Sequence, residues 1–183
     1  MAELYLIIGL AMIGLIVPIW FLSQGAPFVP TSDSDAEQMV RIVKRLRPRK
    51  IIDLGAGDGK LVELFATHGY SIDGIEINPR LVRRGQRRLA RHGLTGRATI
   101  RRGNLWKIDI GVYDMVVLYA VSNIMGRLEG KLRSELRPGS FVISNYFAFP
   151  NLVPIESRGR IRVYRITPGL INDLQLATSE ERA

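Results

Sequence analysis

The chain has 183 residues, 46% of them apolar, and a formal charge of +9, which suits one globular domain with a single sizeable core and excludes a disordered tail. It contains no cysteine, and His68 and His92 are its two imidazoles. Disulfides, thiolate metal sites and a cysteine nucleophile are therefore excluded, and no metal centre is expected.

Residues 4–22 are a run of nineteen without a charge, ~28 Å long as a helix and close to the hydrocarbon core of a bilayer. The run reads as an N-terminal transmembrane helix. A signal peptide fits less well, since only Met-Ala-Glu precedes the run and supplies no basic n-region. Trp20 sits where an interfacial aromatic belongs, and basic residues come after the span and not before it. That asymmetry predicts a single-pass membrane protein with its C-terminal domain in the cytoplasm or an equivalent compartment. Residues 25–34 read as a linker, 35–172 as the globular domain and 173–183 as a polar tail.

In the domain, a helical pattern runs from Asp35 through Leu46 and stops before Pro48. Residues 51–54 read as a strand, 60–68 as a helix and 71–77 as a strand, after which Pro79 opens a helix to about residue 92. Strands come next at 98–101 and 114–119, then a helix at 123–136 and a strand at 140–145. Strands alternating with helices predict an α/β fold, a Rossmann-like, doubly wound and mainly parallel sheet. After residue 150 the helices stop; Gly159 precedes a period-two run at 160–167, which predicts an antiparallel hairpin closing the sheet edge.

Asp53-Leu-Gly55-Ala-Gly57-Asp-Gly59 comes directly after the first strand and opens a helix, the context in which a glycine pattern becomes a nucleotide-site hypothesis. Glu76, at the end of the second strand, stands where a carboxylate accepts hydrogen bonds from ribose hydroxyls. A dinucleotide would use G-x-G-x-x-G and rest its pyrophosphate on the helix N-terminus. Here the spacing is G-x-G-x-G, and Asp53 and Asp58 bring two negative charges to where the pyrophosphate would sit. S-adenosylmethionine has no phosphate, and its ammonium and sulfonium favour nearby carboxylates. The sign of the charge selects S-adenosylmethionine.

"DLGAGDG" with "IEINP" resembles motifs I and II of the class I, seven-strand methyltransferases. The resemblance implies that Asp53, Gly55, Ala56, Gly57 and Gly59 line the methionine end of the cofactor and that Glu76 takes the ribose. It also implies that Asn104, in "RGNLW", lies near the adenine, where many relatives carry Asp; an amide can both donate to and accept from that base. "GAPFVPT" at 25–31 behind the apolar span, with "GNLWKIDIGVYDMVVLY" and "LEGKLRSELRPGSFVISNYFAFP", resembles a narrower family. These are the lysine methyltransferases acting on the c-subunit of ATP synthase and on the adenine nucleotide translocase, with relatives in archaea. The likeness runs to about Pro150.

The segment after the fourth strand faces the substrate in sheets of this type. It lacks the Asn-Pro-Pro-Tyr of many amino-adenine methyltransferases, which disfavours a nucleic-acid base. The family implies a protein lysine as acceptor, in a membrane or membrane-associated protein; a lipid amine, a small molecule or RNA, and a non-catalytic cofactor-binding module, are the alternatives. Thr31, Tyr119, Ser122 and Asn123 are candidates for shaping the amine channel, with helix capping or core packing as their competing roles. The segment 144–150, "SNYFAFP", offers an aromatic wall or an ordinary strand end. Arg80, Arg83, Arg84, Arg87, Arg88 and Arg91 fall on one helix face over an arc of roughly 140°, with Val82 and Leu89 turned away. Such a face suits an anionic membrane surface, at up to ~1 kcal/mol per residue; a solvated face and RNA are the other readings.

Overall fold

A computed structural model describes residues 31–120 and 122–167. The apolar run 4–22, most of the linker and the tail 173–183 lie outside the described residues. Among those described, no helix is long and apolar enough to cross a membrane.

Helix α1 (Asp33–Leu46) is capped by Ser32, whose hydroxyl accepts the Asp35 N–H at 3.2 Å, and ends at Arg47 in the left-handed conformation, just before Pro48. β1 (Lys50–Leu54), α2 (Lys60–Thr67), β2 (Ser71–Glu76), α3 (Pro79–Arg91) and β3 (Ala98–Arg102) come next. Beyond a 3₁₀ turn (Leu105–Lys107) lie β4 (Met115–Leu118), a second 3₁₀ turn (Ser122–Ile124), α4 (Met125–Glu135) and β5 (Phe141–Asn145). The last strands are β6 (Glu156–Arg158) and β7 (Ile161–Arg165). The elements predicted for the globular domain are present among the described residues, and most bounds shift by one or two residues. The larger change is at α4, whose predicted first turn is 3₁₀.

Together the strands make one seven-stranded sheet in the order β3-β2-β1-β4-β5-β7-β6. β1 to β5 pair in parallel, and β7 runs antiparallel to both β5 and β6. The hairpin expected from Gly159 is therefore there, and it closes the sheet beyond β5. Chain order reverses at β1, so β1 and β4 leave in opposite directions and open a crevice at their carboxyl ends.

The two faces are covered unequally. Helices α1, α2 and α3 pack Met39, Val43, Phe65 and Leu89 onto Ile51, Val117 and Ile143 on one face. On the other, α4 lays Leu128 and Leu132 on Ile52, Val116 and Val142. With fewer helices, that second face is completed by clamped loops. The buried Lys131 Nζ donates to the Ile108 carbonyl at 2.7 Å and pairs with Glu135, which accepts the Ile110 N–H. Buried Glu129 accepts the Asn151 N–H at 2.9 Å and pairs with Arg133. One helix thus holds the β3–β4 and the β5–β6 connections through buried groups that are all paired.

Around the glycine loop, helix and sheet come closer than side chains allow. A Cβ added to Gly85 of α3 would lie 3.2 Å from the Asp58 carbonyl oxygen, and one added to Gly74 of β2 would lie 2.8 Å from the Ala56 Cβ and 3.0 Å from Val62. Neither neighbour can retreat without moving the loop. Gly74→Ala is therefore expected to destabilise the fold by about 1–3 kcal/mol through overpacking, measured as a lowered urea midpoint.

Candidate functional site

β1 delivers Asp53 to the crevice, and the chain then turns over the end of β2. Gly55, Gly57 and Gly59 all take positive φ (89°, 56° and 79°), a conformation that costs side-chain-bearing residues free energy. The N–H groups of Gly55 and Ala56 both donate to the Ile75 carbonyl, at 2.9 and 3.0 Å. Nothing lies within 4 Å of a Cβ built on Gly55, so the outer side of the loop is open to a ligand.

Glu76 holds this loop in place. One carboxylate oxygen accepts the Gly57 N–H at 2.9 Å and the other accepts the Asn78 N–H at 2.8 Å. Each oxygen retains a lone pair for a further donor. Asp53 is 5% exposed, and burial, reinforced by the negative charge of Glu76, pushes its carboxyl up to about 7. A carboxylate desolvated this far is stabilised by a ligand that brings positive charge.

Gly103 donates its N–H to the Glu76 carbonyl at 3.0 Å, bringing Asn104 beside Glu76. The Asn104 side-chain oxygen caps the 3₁₀ turn by accepting the Trp106 N–H at 3.0 Å. Arg127 of α4 stacks over the Trp106 ring, 4.1 Å from its centroid, and ties this turn to the start of α4. Sequence reasoning missed that pair, and its separation along the chain gives no signal.

The four channel candidates divide. Ser32, not Thr31, caps α1; the Thr31 carbonyl instead accepts Lys60 Nζ at 2.8 Å, and the same ammonium pairs with Asp33 at 2.7 Å. Since Lys60 opens α2 directly after the glycine loop, Thr31 is held at the carboxyl edge of the sheet. Tyr119 is not a core residue: it is half-buried and meets Tyr146 edge to face, with centroids 6.3 Å apart. Tyr146 in turn contacts Phe147 at 4.8 Å, so aromatic side chains of 144–150 stand beside Tyr119. Ser122 and Asn123 are exposed, and neither caps α4, which begins without a side-chain cap.

Two expectations about charge need correction. Asp58 does not offer its carboxylate to the loop's ligand side; it is buried and paired with Arg88 at 2.9 Å and Arg84 at 3.4 Å. The negative charge facing the crevice comes from Asp53 and Glu76. Nor is the whole six-arginine face available to an outside partner, because Arg88 bonds Glu63 of α2 as well, at 2.8 Å. At ~100° per residue, Arg84 and Arg88 occupy the side of the arc turned toward α2. Arg80, Arg83, Arg87 and Arg91 are exposed and pair with no carboxylate among the described residues.

Residues 53–156 match the ANTKMT methyltransferase domain family. The ATP synthase c-subunit lysine N-methyltransferase of Mus musculus is 37% identical over 133 residues, covering 73% of this chain and 53% of that protein. The chain thus spans about half the length of this relative. A protein-lysine N-methyltransferase of Saccharolobus islandicus is 32% identical over 133 residues, covering 71% of this chain and 82% of that protein. Among solved structures, an RNA methyltransferase from Salinibacter ruber in complex with S-adenosyl-L-homocysteine superposes with a TM-score of 0.73. It is 28% identical, covering 80% of this chain and 99% of that one.

The buried Asp53 makes stability depend on pH. Its carboxyl is protonated up to about 7 in the fold but ionises near ~3.9 when unfolded, so the folded state binds the extra proton between these values. Stability therefore falls as pH rises from about 4 to 7 and is level beyond. The urea midpoint is expected to drop between pH 5 and pH 8, and Asp53→Asn is expected to flatten that drop.

Proposed function

Because the chain belongs to the ANTKMT methyltransferase domain family and carries a class I S-adenosylmethionine-dependent methyltransferase domain, we propose that it methylates a lysine ε-amine of a membrane or membrane-associated protein. The observation that supports the reading most is the buried Asp53 beside a glycine loop fixed by Glu76. The residues present fit S-adenosylmethionine. The open side of Gly55 leaves room for the methionine end, Asp53 complements its positive charge, Glu76 keeps lone pairs for the ribose, and Asn104 stands beside it for the adenine.

When bound, the cofactor supplies an electrophilic methyl group on a sulfonium. The chain's part is to position and desolvate the acceptor. A free lysine has a pKa near ~10.4, and enclosure against the half-buried Tyr119 and Phe147 and the more exposed Tyr146 at the carboxyl edge disfavours its charged form. No strong base stands in this wall, which suits a proton lost to solvent before the amine is enclosed. Rate then comes from orientation and exclusion of water. Thr31, held by Lys60, gives the channel its other side, with Ser122 and Asn123 at the mouth.

Action at a membrane rests on the apolar run 4–22 and on the short connection to Thr31. Residues 23–30 span at most roughly 29 Å when extended, so a bilayer holding that run lies within this reach of the carboxyl edge. The exposed Arg80, Arg83, Arg87 and Arg91 then suit anionic headgroups. A second reading is methylation of RNA, favoured by the likeness to the Salinibacter ruber enzyme and by the same arginines. Against it stands "YAVS" at 119–122, where amino-adenine enzymes carry Asn-Pro-Pro-Tyr.

Incubation with labelled S-adenosylmethionine and cell membranes separates the readings. Label is expected in a protein that survives lipid extraction and ribonuclease treatment, and Glu76→Ala is expected to remove both cofactor binding and transfer. Label only in lipid or only in RNA would refute lysine as the acceptor. For the arginine face, the chain lacking residues 1–24 is expected to float with anionic but not neutral liposomes. Salt and the replacement of Arg80, Arg83, Arg87 and Arg91 by Gln should each abolish that flotation; tight RNA binding without flotation would overturn the lipid assignment.

A further inference from the structure

Asn145 is the last residue of β5 and is only 4% exposed, yet its side-chain oxygen is buried with no hydrogen-bond partner among the described residues. Buried acceptors in folded proteins are almost always paired, and an orphan is costly to keep. The register places it near the crevice. Asp53 lies beside Val117, and Val117 beside Ile143. Because side chains alternate along a strand, Asn145 stands on the same face as Asp53, one pleat repeat nearer the carboxyl edge. Two strand spacings, roughly 10 Å, separate β5 from β1. Leu118 pairs with Ser144, so Tyr119 and Asn145 leave the sheet side by side.

The residue after it is also unusual. Tyr146 has φ of 82° and is the non-glycine residue, with Arg47, that takes positive φ among those described. That conformation is unfavourable for a bulky side chain and persists only where the surroundings impose it. Here β7 and the residue before it do so: the Tyr146 N–H donates to the Arg160 carbonyl at 2.8 Å, and its own carbonyl accepts Arg162 at 2.8 Å. The pinned turn sets the Tyr146 ring against Tyr119, and the register leaves Asn145 on β5 beside the Tyr119 backbone.

We propose that the Asn145 side-chain oxygen receives an N–H of the acceptor amine and so points the nitrogen lone pair at the methyl group. This rests on the lysine reading given above. In the transfer, the N–C bond forms as the S–C bond breaks, and the electron pair of the S–C bond stays on sulfur. The methylammonium product loses its proton to solvent before another round. A neutral lysine amine has two N–H bonds, its monomethyl form one and its dimethyl form none. Asn145 therefore orients the first and second transfers and has no hold on a third.

Asn145→Leu tests this, since it keeps the approximate shape and removes the unpaired acceptor. Its melting temperature is expected to equal or exceed that of the wild type, with calorimetric S-adenosylmethionine affinity unchanged. Lysine methylation of cell membranes, read by mass spectrometry, is expected to slow by about ten- to a hundredfold in the first and second transfers. Where the wild type adds a third methyl, that step keeps its rate. Unchanged transfer, equal slowing of a third step, or a loss of transfer accompanied by a lower melting temperature or weaker cofactor binding would overturn the proposal. A wild-type chain that places no methyl on lysine would remove the reading beneath it, whatever the variant does.

Discussion

Both oxygens of one carboxylate, that of Glu76, are held by backbone N–H groups: Gly57 from the loop and Asn78 from the entry to α3. Through these two bonds the end of β2 fixes the path of the glycine loop and the angle at which the next helix departs. The close approach of α3 to Asp58, possible because position 85 is glycine, results from that geometry. So does the burial of Asp53, whose carboxyl is enclosed by the loop and made harder to ionise by its neighbour. The same carboxylate that organises the protein keeps lone pairs for a ligand, so local order and recognition are coupled through a single side chain.

Charge around the crevice is sorted by that arrangement. Asp58 is engaged within the fold by Arg84 and Arg88, and Arg88 carries the tie between loop and α3 on to Glu63 of α2. Among the described residues Asp53 has no cation of its own. A site built this way favours a positively charged ligand and disfavours a phosphate, because any anion would meet two buried or half-buried carboxylates with no compensating base. The preference for a cationic cofactor survives the correction of Asp58, since Glu76 supplies the second negative charge.

Much of the fold was legible because it is written in short-range pattern. Alternating apolar strands, Pro79 at a helix start, Pro48 beyond a helix end and Gly159 before a period-two run each act over a few residues, and each marked the right place. The glycine loop and Glu76 were legible because their spacing arises from the βαβ unit itself. The direction of Asp58 was not, since it depends on Arg84 and Arg88, distant in the chain and brought close only by packing of α3. The orphaned oxygen of Asn145 was equally hidden: a strand-end asparagine reads as a turn former, and only the assembled sheet buries it. Thr31 and Ser32 show the limit at its finest scale, where adjacent hydroxyl residues compete for one cap and the sequence alone cannot choose.

Helix α3 starts at the carboxyl edge and descends along the sheet, and over its 13 residues it covers roughly 20 Å. Its unpaired arginines are therefore arranged as a ruler with Arg80 at the chemical end and Arg91 at the far end. A flat anionic surface lying along this flank meets all four, whereas one touching only the carboxyl edge meets the first. Charges on whatever lies along the flank are thereby set at fixed distances from the crevice, measured off by the helix.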